Sequence, residues 1–173
     1  ERLMVIGGRE AIPLNRVSTD FINAVIATED HRFWAHHGID KLRTLKALWV
    51  TLFQPGRIQG ASTITQQLAK NLYLSPERSI WRKLKEFFIA RRLEAALSKD
   101  RIFHLYLNLI ELGPGIFGVE AASNAYFGKP VEALSLEEII RLTAVIPRPL
   151  KTHPAGNDSW MKWRATWILD TLK

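Results

Sequence analysis

The chain has 173 residues, of which 47% are hydrophobic and 24% charged, a composition typical of a globular domain rather than a disordered segment. A net charge of +7 favours an anionic partner such as phosphate, an anionic lipid surface or nucleic acid. The lack of cysteine excludes disulfides and cysteine-ligated metals, and no apolar run is long enough to span a bilayer. Because the chain starts with Glu1 rather than Met, we expect a fragment whose upstream signal or anchor segment lies outside this sequence.

In chain order, the predicted elements are mainly helical. A short extended segment at residues 3–6 precedes a helix over 18–37 with Gly38 as its C-terminal stop, and a helix over 41–53 that Pro55 and Gly56 end. A capping box at Thr63 and Gln66 predicts the start of the next helix, and an N-cap at Ser75 predicts a long helix to about residue 97. Another helix is predicted from Ser98 through 109, before a break at Gly113–Gly115, and a short one over 119–127. A capping box at Ser135 and Glu138 opens a helix that Pro147 ends, and a Trp-rich helix ends the chain. The fold class is therefore mainly α, in one domain covering residues 1–173.

A first candidate for chemistry is Glu29. Four residues of the predicted 18–37 helix share one face: Ile22, Ile26, Glu29 and Phe33. Glu29 is thus in line with an apolar stripe, where an ionised carboxylate needs compensation and where a general base or acid is often found. The alternative is a glutamate at the edge of the stripe that reaches water or pairs with Arg32. His36 and His37 are expected to act as cations at the helix C-terminus and show no metal-ligand spacing.

The second candidate is Glu86, which shares one helix face with three basic residues, Arg78, Arg82 and Lys83. A cationic patch holding one carboxylate is suited to gripping a phosphate while keeping a partner for a lysine or a metal ion. The alternative is an exposed salt-bridge ladder, worth only about 0.3–0.5 kcal/mol per pair. The basic-before-acidic order is the less favourable one for helix stability and slightly weakens that alternative.

Two further segments are unusual in composition. Residues 60–74 have an apolar stripe, and the rest of the helix surface carries Lys70 and many uncharged hydrogen-bonding side chains. This composition is unusual because hydroxyl and β-branched residues are weak helix formers. Residues 41–57 are strongly apolar and carry basic residues at both ends. They form either an ordinary core helix or a segment lying in a membrane interface.

Five segments, in order, resemble the signatures of the family 51 peptidoglycan glycosyltransferases, and the resemblance runs from about residue 18 to 150, over most of the chain. They are EDHRFWAHHG (29–38), GASTITQQLAKN (60–71), RKLKE (82–86), KDRIFHLYLN (99–108) and GVEAASNAYFG (118–128). Five ordered signatures are specific where a single one is not. The family includes monofunctional biosynthetic peptidoglycan transglycosylases and the glycosyltransferase domains of class A penicillin-binding proteins, and the sequence leaves open whether a transpeptidase domain follows.

The resemblance implies a mainly α, lysozyme-like helical lobe with a small membrane-proximal jaw subdomain at about residues 39–60. It implies polymerisation of lipid II into β-1,4 glycan strands, with inversion and release of undecaprenyl pyrophosphate. The implied partners are lipid II, the growing glycan strand, the membrane surface and cell-wall synthesis proteins, but not nucleic acid. The implied location is the outer, periplasmic face of the bacterial cytoplasmic membrane, held by an N-terminal anchor outside this sequence.

The resemblance also implies roles for individual residues. Glu29 matches the catalytic base that deprotonates the acceptor 4-hydroxyl, and Glu86 matches a second essential carboxylate near the pyrophosphate. A divalent cation, Mg²⁺ or Mn²⁺, is compatible with Glu86, and no organic cofactor is implied. The matching substrate-binding residues are Ser62, Gln67, Lys70, Arg78, Arg82 and Lys83. On this reading the polar face of residues 60–74 binds sugar hydroxyls and phosphate oxygens.

Elementary chemistry agrees with this reading. A lipid pyrophosphate is a weakly basic leaving group, so its departure needs neutralisation of charge more than it needs a proton. A glycosidase instead needs a carboxylic acid to protonate a sugar oxygen, with a carboxylate on the other side of the bond. Two other hypotheses remain: a lysozyme-like peptidoglycan hydrolase, and a non-catalytic basic module that binds anionic membranes or nucleic acid.

Overall fold

The computed structural model describes residues 5–6, 9–53, 60–73 and 79–173, and these residues are mainly helical. The helices are α1 (Thr19–Glu29), α2 (Lys41–Phe53), α3 (Ile64–Tyr73), α4 (Ile80–Ala96), α5 (Lys99–Leu109), α6 (Val119–Phe127), α7 (Leu136–Val145) and α8 (Ser159–Thr171). Two antiparallel pairs of short strands accompany them: β1 (Val5–Ile6) with β2 (Arg9–Glu10), and β3 (Glu111–Gly113) with β4 (Ile116–Phe117). The predicted mainly α fold class is confirmed.

The chain divides into two compact units, residues 1–28 with 104–173, and residues 29–103. Large buried side chains of the first unit include Phe21, Tyr106, Leu107, Leu112, Ile139, Leu142 and Met161. Those of the second unit include Phe33, Ile64, Leu68, Ile102 and Phe103. Within the described ranges, every helix is too short or too polar to cross a bilayer.

Helix caps follow the sequence closely at α3 and α7. At α3 the N–H of Thr63 donates to Gln66 Oε1 (3.0 Å) and the N–H of Gln66 donates to Thr63 Oγ1 (3.2 Å), as the predicted capping box requires. Ser135 and Glu138 form the same reciprocal pair at α7. The start of α4 differs from the prediction, because its N-cap is Ser79, whereas the predicted cap, Ser75, lies outside the described residues.

The end of α1 also differs from the prediction. The helix stops at Glu29 rather than continuing to His37, and a 3-10 turn over Phe33–Ala35 follows. The carboxylate of Asp30 is engaged with groups distant in the chain, and the carbonyl of Asp30 accepts from the N–H of Phe33 (2.8 Å), which closes the turn. His36 and His37 are therefore not helix C-terminal cations, and that interpretation is wrong.

The buried face of α1 is likewise shifted from the predicted stripe. Phe21, Val25 and Thr28 are buried, whereas Ile22 and Ile26 are only half-buried. Glu29 is buried because it ends the helix and is followed by the fully buried Asp30, not because it continues a stripe of Ile22 and Ile26.

In the first unit, the predicted break at Gly113–Gly115 is the connection between β3 and β4. Asn108, near the end of α5, accepts from the N–H of Ile12 (2.9 Å) and donates to the carbonyl of Ile12 (3.1 Å), which fixes the N-terminal segment within this unit. Gly118 has φ +84°, and a Cβ there would lie 2.7 Å from the carbonyl oxygen of Asn108, so only glycine fits before α6.

Candidate active site

Glu29 is the last residue of α1, and its side chain belongs to the second unit. Only 8% of the residue is exposed, and its Oε2 accepts a hydrogen bond from the amide of Gln67 on α3 (3.0 Å). The backbone carbonyl of Glu29 accepts from the guanidinium of Arg43 on α2. A neutral amide therefore orients the carboxylate, and a cation holds the backbone that carries it. The position of the Glu29 carboxylate is thus fixed by groups on two other helices.

Asp30, next in the chain, fastens α3 to the end of α1. It is fully buried, and its Oδ2 accepts from the N–H of Ile64, the first residue of α3 (3.1 Å). Both carboxylate oxygens also lie within 3.0 Å of Nε2 of the buried His36. A carboxylate at a helix N-terminus compensates the free N–H groups and the positive end of the helix dipole. Asp30 thereby fixes the helix that presents Gln67 to Glu29.

Sequence reasoning missed Asp30 and Arg43 as parts of this site. An acidic residue directly after the candidate base was visible, but its helix partner, Ile64, lies 34 residues further along the chain. Arg43 was visible only as a basic flank of an apolar segment. No local pattern indicates that its guanidinium reaches the carbonyl of Glu29.

Gly38 is required by close packing rather than by the end of a helix. Its φ is +82°, and a Cβ at this position would lie 3.1 Å from Cγ of Glu94 and 3.2 Å from the carbonyl oxygen of Ala90, both on α4. The carbonyl of Gly38 accepts from Thr63 Oγ1 (2.6 Å). The turn after His36 thus lies directly against the beginning of α3 and the middle of α4.

Most of the polar face of α3 is used inside the protein. Thr65 Oγ1 donates to Glu94 Oε1 (2.5 Å), which also pairs with Lys99 Nζ (2.7 Å), while Thr63 and Gln66 form the capping box. These three side chains are buried and hydrogen-bonded within the protein. They satisfy buried backbone and carboxylate groups, so within the predicted polar face only residues such as Ser62, Gln67 and Lys70 stay candidates for binding substrate.

Glu86 lies on α4 and is only 3% exposed. Its Oε1 forms an ion pair with Lys83 Nζ, and the same ammonium donates to Ser62 Oγ (3.0 Å). About half of the Lys83 side chain (52%) is accessible to solvent. The exposed salt-bridge ladder is thus not what forms, because the carboxylate is buried and holds a lysine that remains open to a ligand.

The other predicted substrate-binding residues differ in how the structure describes them. Arg82 is half-buried near the start of α4, and its Nε has no hydrogen-bond partner in the described part of the chain. Lys70 is exposed on α3, one turn after Gln67. Arg78 lies outside the described residues.

The stretch from Ser62 to Gln67 contacts both carboxylate sites. Gln67 holds Glu29, and Ser62 contacts the ammonium group of Lys83, which is paired with Glu86. A proton acceptor and a partly exposed cation are thereby connected through six consecutive residues. Such a pair is suited to activating a hydroxyl group and stabilising an anionic leaving group.

The described residues by themselves form no metal site. Among the described residues there is no group of three His, Asp or Glu side chains that could hold a metal ion. Mg²⁺ is usually held by one or two carboxylates together with phosphate oxygens of a substrate. Glu86 fits only that arrangement, as a single carboxylate beside a bound diphosphate.

The second unit also carries an outer apolar face, which we define as the exposed large apolar side chains of α2 and the first turns of α4. Its members are Leu42, Leu45, Trp49, Leu52 and Phe53 on α2, and Ile80, Trp81, Leu84 and Phe88 on α4. The α2 members are each more than half exposed. The interpretation of residues 41–53 as an ordinary core helix is therefore wrong, and exposed apolar area of this kind indicates an interaction surface.

The chain is similar to known proteins of one family. The family model described as Transglycosylase matches residues 5–173. The chain is 46% identical to penicillin-binding protein 1A of Escherichia coli over 89% of its own length and 18% of that protein's. It is 42% identical to the biosynthetic peptidoglycan transglycosylase of Nitrosospira multiformis, over 93% and 70% of the respective lengths. The chain thus spans about a fifth of the penicillin-binding proteins that it matches, including that of Aquifex aeolicus (20%), to which it is 48% identical over 83% of its length.

Proposed function

Because this chain belongs to the transglycosylase family, we propose that it is a peptidoglycan glycosyltransferase that polymerises lipid II into β-1,4 glycan strands. The reaction inverts the anomeric carbon and releases undecaprenyl pyrophosphate. The observation that carries the proposal is the shared contact of residues 62–67 with Glu29 and with the Lys83–Glu86 pair. The substrates are lipid II and the growing strand, and cell-wall synthesis proteins are the expected partners.

Glu29 acts as the general base. Its carboxylate takes the proton of the acceptor 4-hydroxyl while that oxygen attacks the anomeric carbon of the donor sugar. The hydrogen bond from Gln67 fixes one oxygen of this carboxylate. A positioned base of this kind typically contributes ~10²–10⁴-fold to the rate.

Lys83 stabilises the leaving group. As the bond from the anomeric carbon to the diphosphate oxygen breaks, its electron pair and the developing negative charge remain on the diphosphate, so a nearby ammonium lowers the barrier. Glu86 and Ser62 hold that ammonium in place. The family resemblance adds Arg82, Lys70 and Arg78 as further cations that bind the diphosphate. A divalent cation on Glu86 would supply additional charge neutralisation to the diphosphate oxygens.

The cation beside Glu86 favours the transferase over a hydrolase. An inverting or retaining glycosidase needs one carboxylic acid that carries a proton for the departing sugar oxygen, and it needs no cation at the leaving group. Here the partly exposed ammonium of Lys83 lies beside the second carboxylate. Such an ammonium supports departure of a phosphate, which needs neutralisation of charge rather than a proton.

The outer apolar face supports work at a lipid surface. A lipid-linked substrate stays in the bilayer, so an enzyme that uses it gains from apolar side chains that enter the interface, with basic residues such as Lys41 and Lys46 at the level of the head groups. We place this face on the outer leaflet of the bacterial cytoplasmic membrane and include α2 in the predicted jaw.

The test is polymerisation of purified lipid II by wild type and by Glu29→Gln. Loss of the base is expected to lower the rate by at least ~10²-fold while lipid II still binds, because glutamine keeps the shape and hydrogen bond of the side chain. Glu137→Gln, an exposed acid on α7, serves as the control and is expected to keep wild-type activity. Full activity of Glu29→Gln would remove Glu29 from the mechanism, and fragments released from intact sacculi by wild type would favour the hydrolase.

A further inference from the structure

Arg43 contacts the backbone of the candidate active site at two places. It lies in the first turn of α2, and its side chain is half-buried. The guanidinium donates from Nη1 to the carbonyl of Glu29 and from Nε to the carbonyl of Gly60 (3.3 Å). Gly60 begins the stretch that continues through Ser62 to Gln67. One planar group thus joins the backbone that carries the proposed base to the segment that orients its carboxylate.

The two carbonyl groups are fixed together by this contact. The last carbonyls of a helix have no partner within the helix, and Glu29 ends α1, so a cation at its carbonyl is favourable. The donors of a guanidinium keep a fixed fork geometry, unlike those of a lysine ammonium. A shift of Arg43 would therefore move or release both carbonyls at once. The position of the Glu29 carboxylate then depends on the position of α2.

α2 carries Arg43 and the outer apolar face on nearly opposite sides. Its exposed apolar side chains recur every three or four residues from Leu42 to Leu52, which places them in one stripe. Arg43 and Ala47, one turn apart, occupy the other side of the helix. The same helix thus presents one side to the proposed lipid surface and the other to the proposed base.

The packing of α2 within the protein involves few apolar side chains. Among the apolar side chains that the structure describes on this helix, only Ala47 is buried. A helix of 13 residues is marginally stable by itself, and in proteins most helix stability comes from packing of an apolar face. A lipid surface that covers the exposed stripe would supply this packing and stabilise α2 as far as the lipid prefers the helical state.

We propose that Arg43 is a positioning residue through which lipid contact at α2 raises the rate of glycosyl transfer. Lipid on the outer apolar face stabilises α2, and α2 holds the guanidinium at the carbonyls of Glu29 and Gly60. The Glu29 carboxylate is then kept at the Gln67 amide that orients it. Arg43 acts on the reaction only through Glu29. The proposal rests on the proposed function, in which Glu29 is the general base.

The first test separates lipid contact from delivery of the substrate. A lipid II analogue with a short, water-soluble prenyl chain is polymerised with and without vesicles of phosphatidylglycerol. Vesicles should raise kcat of wild type about tenfold, a usual size of coupling between two sites, with KM changed less than about twofold. An unchanged kcat overturns the proposal. No polymer from either the analogue or full-length lipid II would instead contradict the proposed function.

Matched variants assign the effect to Arg43. Arg43→Gln and Arg92→Gln remove the same group, and Arg92 is exposed on α4. Vesicles should raise kcat of Arg43→Gln less than about twofold, although it still co-sediments with them, whereas Arg92→Gln should keep the tenfold rise. Arg43→Lys should keep part of the rise, because an ammonium can bind one of the two carbonyls. A rise in Arg43→Gln equal to that in Arg92→Gln contradicts the role of Arg43.

Amide hydrogen exchange measures the coupling without catalysis and also detects a variant that fails to fold. In wild type, vesicles should slow exchange about tenfold in α2 and also at the amides of Phe33 and Ala35, which close the turn after Glu29. In Arg43→Gln the slowing should be confined to α2. Slowing confined to α2 in wild type, or slowing of the turn in both proteins, overturns the proposal whether or not the chain polymerises lipid II.

Discussion

Two regions of the second unit reverse the usual distribution of polar and apolar side chains. Around α3, Asp30, Thr63, Thr65 and Glu86 are buried and engaged in hydrogen bonds or ion pairs. On the outer apolar face of α2 and α4, large apolar side chains are exposed, with Trp81 and Ile80 among the most accessible. The two regions lie on helices of the same compact unit.

The two regions differ in what stabilises them. Buried polar groups must find partners, and once paired they hold charges in a fixed geometry that water would otherwise disorder. Exposed apolar side chains gain nothing in water, so a surface rich in them is stabilised only when something covers it. The polar region is thus organised in the isolated chain, whereas the apolar region would gain stability from the lipid surface proposed above.

The largest effect is expected from the cation of the polar region. Lys83→Gln removes the ammonium that we propose to stabilise the leaving diphosphate, and it should lower lipid II polymerisation by ~10²–10³-fold, with a smaller change in substrate binding. Lys85→Gln, on the same helix and exposed, is the matched control and should retain activity. Rates are compared under single-turnover and steady-state conditions. Equal losses in both variants would contradict a specific role of Lys83, because any positive charge on α4 would then have the same effect.

Removing the charge of Asp30 tests whether the polar region is held by its internal pairing. Asp30→Asn weakens the hydrogen bonds to His36 and to the N-terminus of α3, and we expect a loss of about 2–3 kcal/mol in the free energy of unfolding. Urea unfolding measures this loss. Asp170→Asn, at an exposed ion pair of α8, should change the stability by less than about 0.5 kcal/mol.

The apolar region should respond in the opposite way, with binding affected and folding unchanged. Leu45→Glu combined with Leu52→Glu is expected to lower the affinity for anionic lipid vesicles by about tenfold, because both side chains leave the apolar interface. The free energy of unfolding in solution should stay within about 0.5 kcal/mol of wild type. Leu150→Glu, equally exposed but in the first unit, is the control in vesicle co-sedimentation. A large loss of folding stability in the double variant would mean that α2 packs inside the protein.

The smallest effect concerns the acid dependence of stability at Asp40. Burial alone raises the pKa of Asp40, but the N–H groups of Arg43 and Leu42 and the electrostatic interactions with Arg32 and His36 together outweigh burial and hold the pKa below its ordinary value. A depressed pKa stabilises the fold above the pKa of the unfolded chain, and the contribution disappears as the pH falls through the folded value.

Wild type should therefore lose its advantage over Asp40→Asn on acidification. We expect the difference in free energy of unfolding to shrink from about pH 5 downward, as followed by urea titrations at successive pH values. Asparagine is a good N-cap, so α2 should keep its start. A difference that is constant with pH would contradict the role of the Asp40 charge.

Sequence reasoning succeeded where a structure is decided locally. The capping boxes at Thr63 and Ser135 and the helix over Lys41–Phe53 follow from neighbouring residues, and the structure has them. It failed at the end of α1, because the partners of Asp30 lie far along the chain. No periodicity within residues 18–37 could indicate that the N–H of Ile64 would donate a hydrogen bond to this carboxylate.

The amino-acid sequence by itself determined the mainly α class and most helix boundaries, and it indicated Glu29 and Glu86 as candidates, since periodicity, caps and ordered signatures are properties of neighbouring residues. Only the tertiary structure decided that Gln67 meets Glu29, that Ser62 meets the lysine on Glu86, and that α2 turns its apolar side chains outward. The physical reason is that burial and pairing are set by groups brought together from different helices. A stripe of leucines reads the same whether it faces a core or a lipid surface.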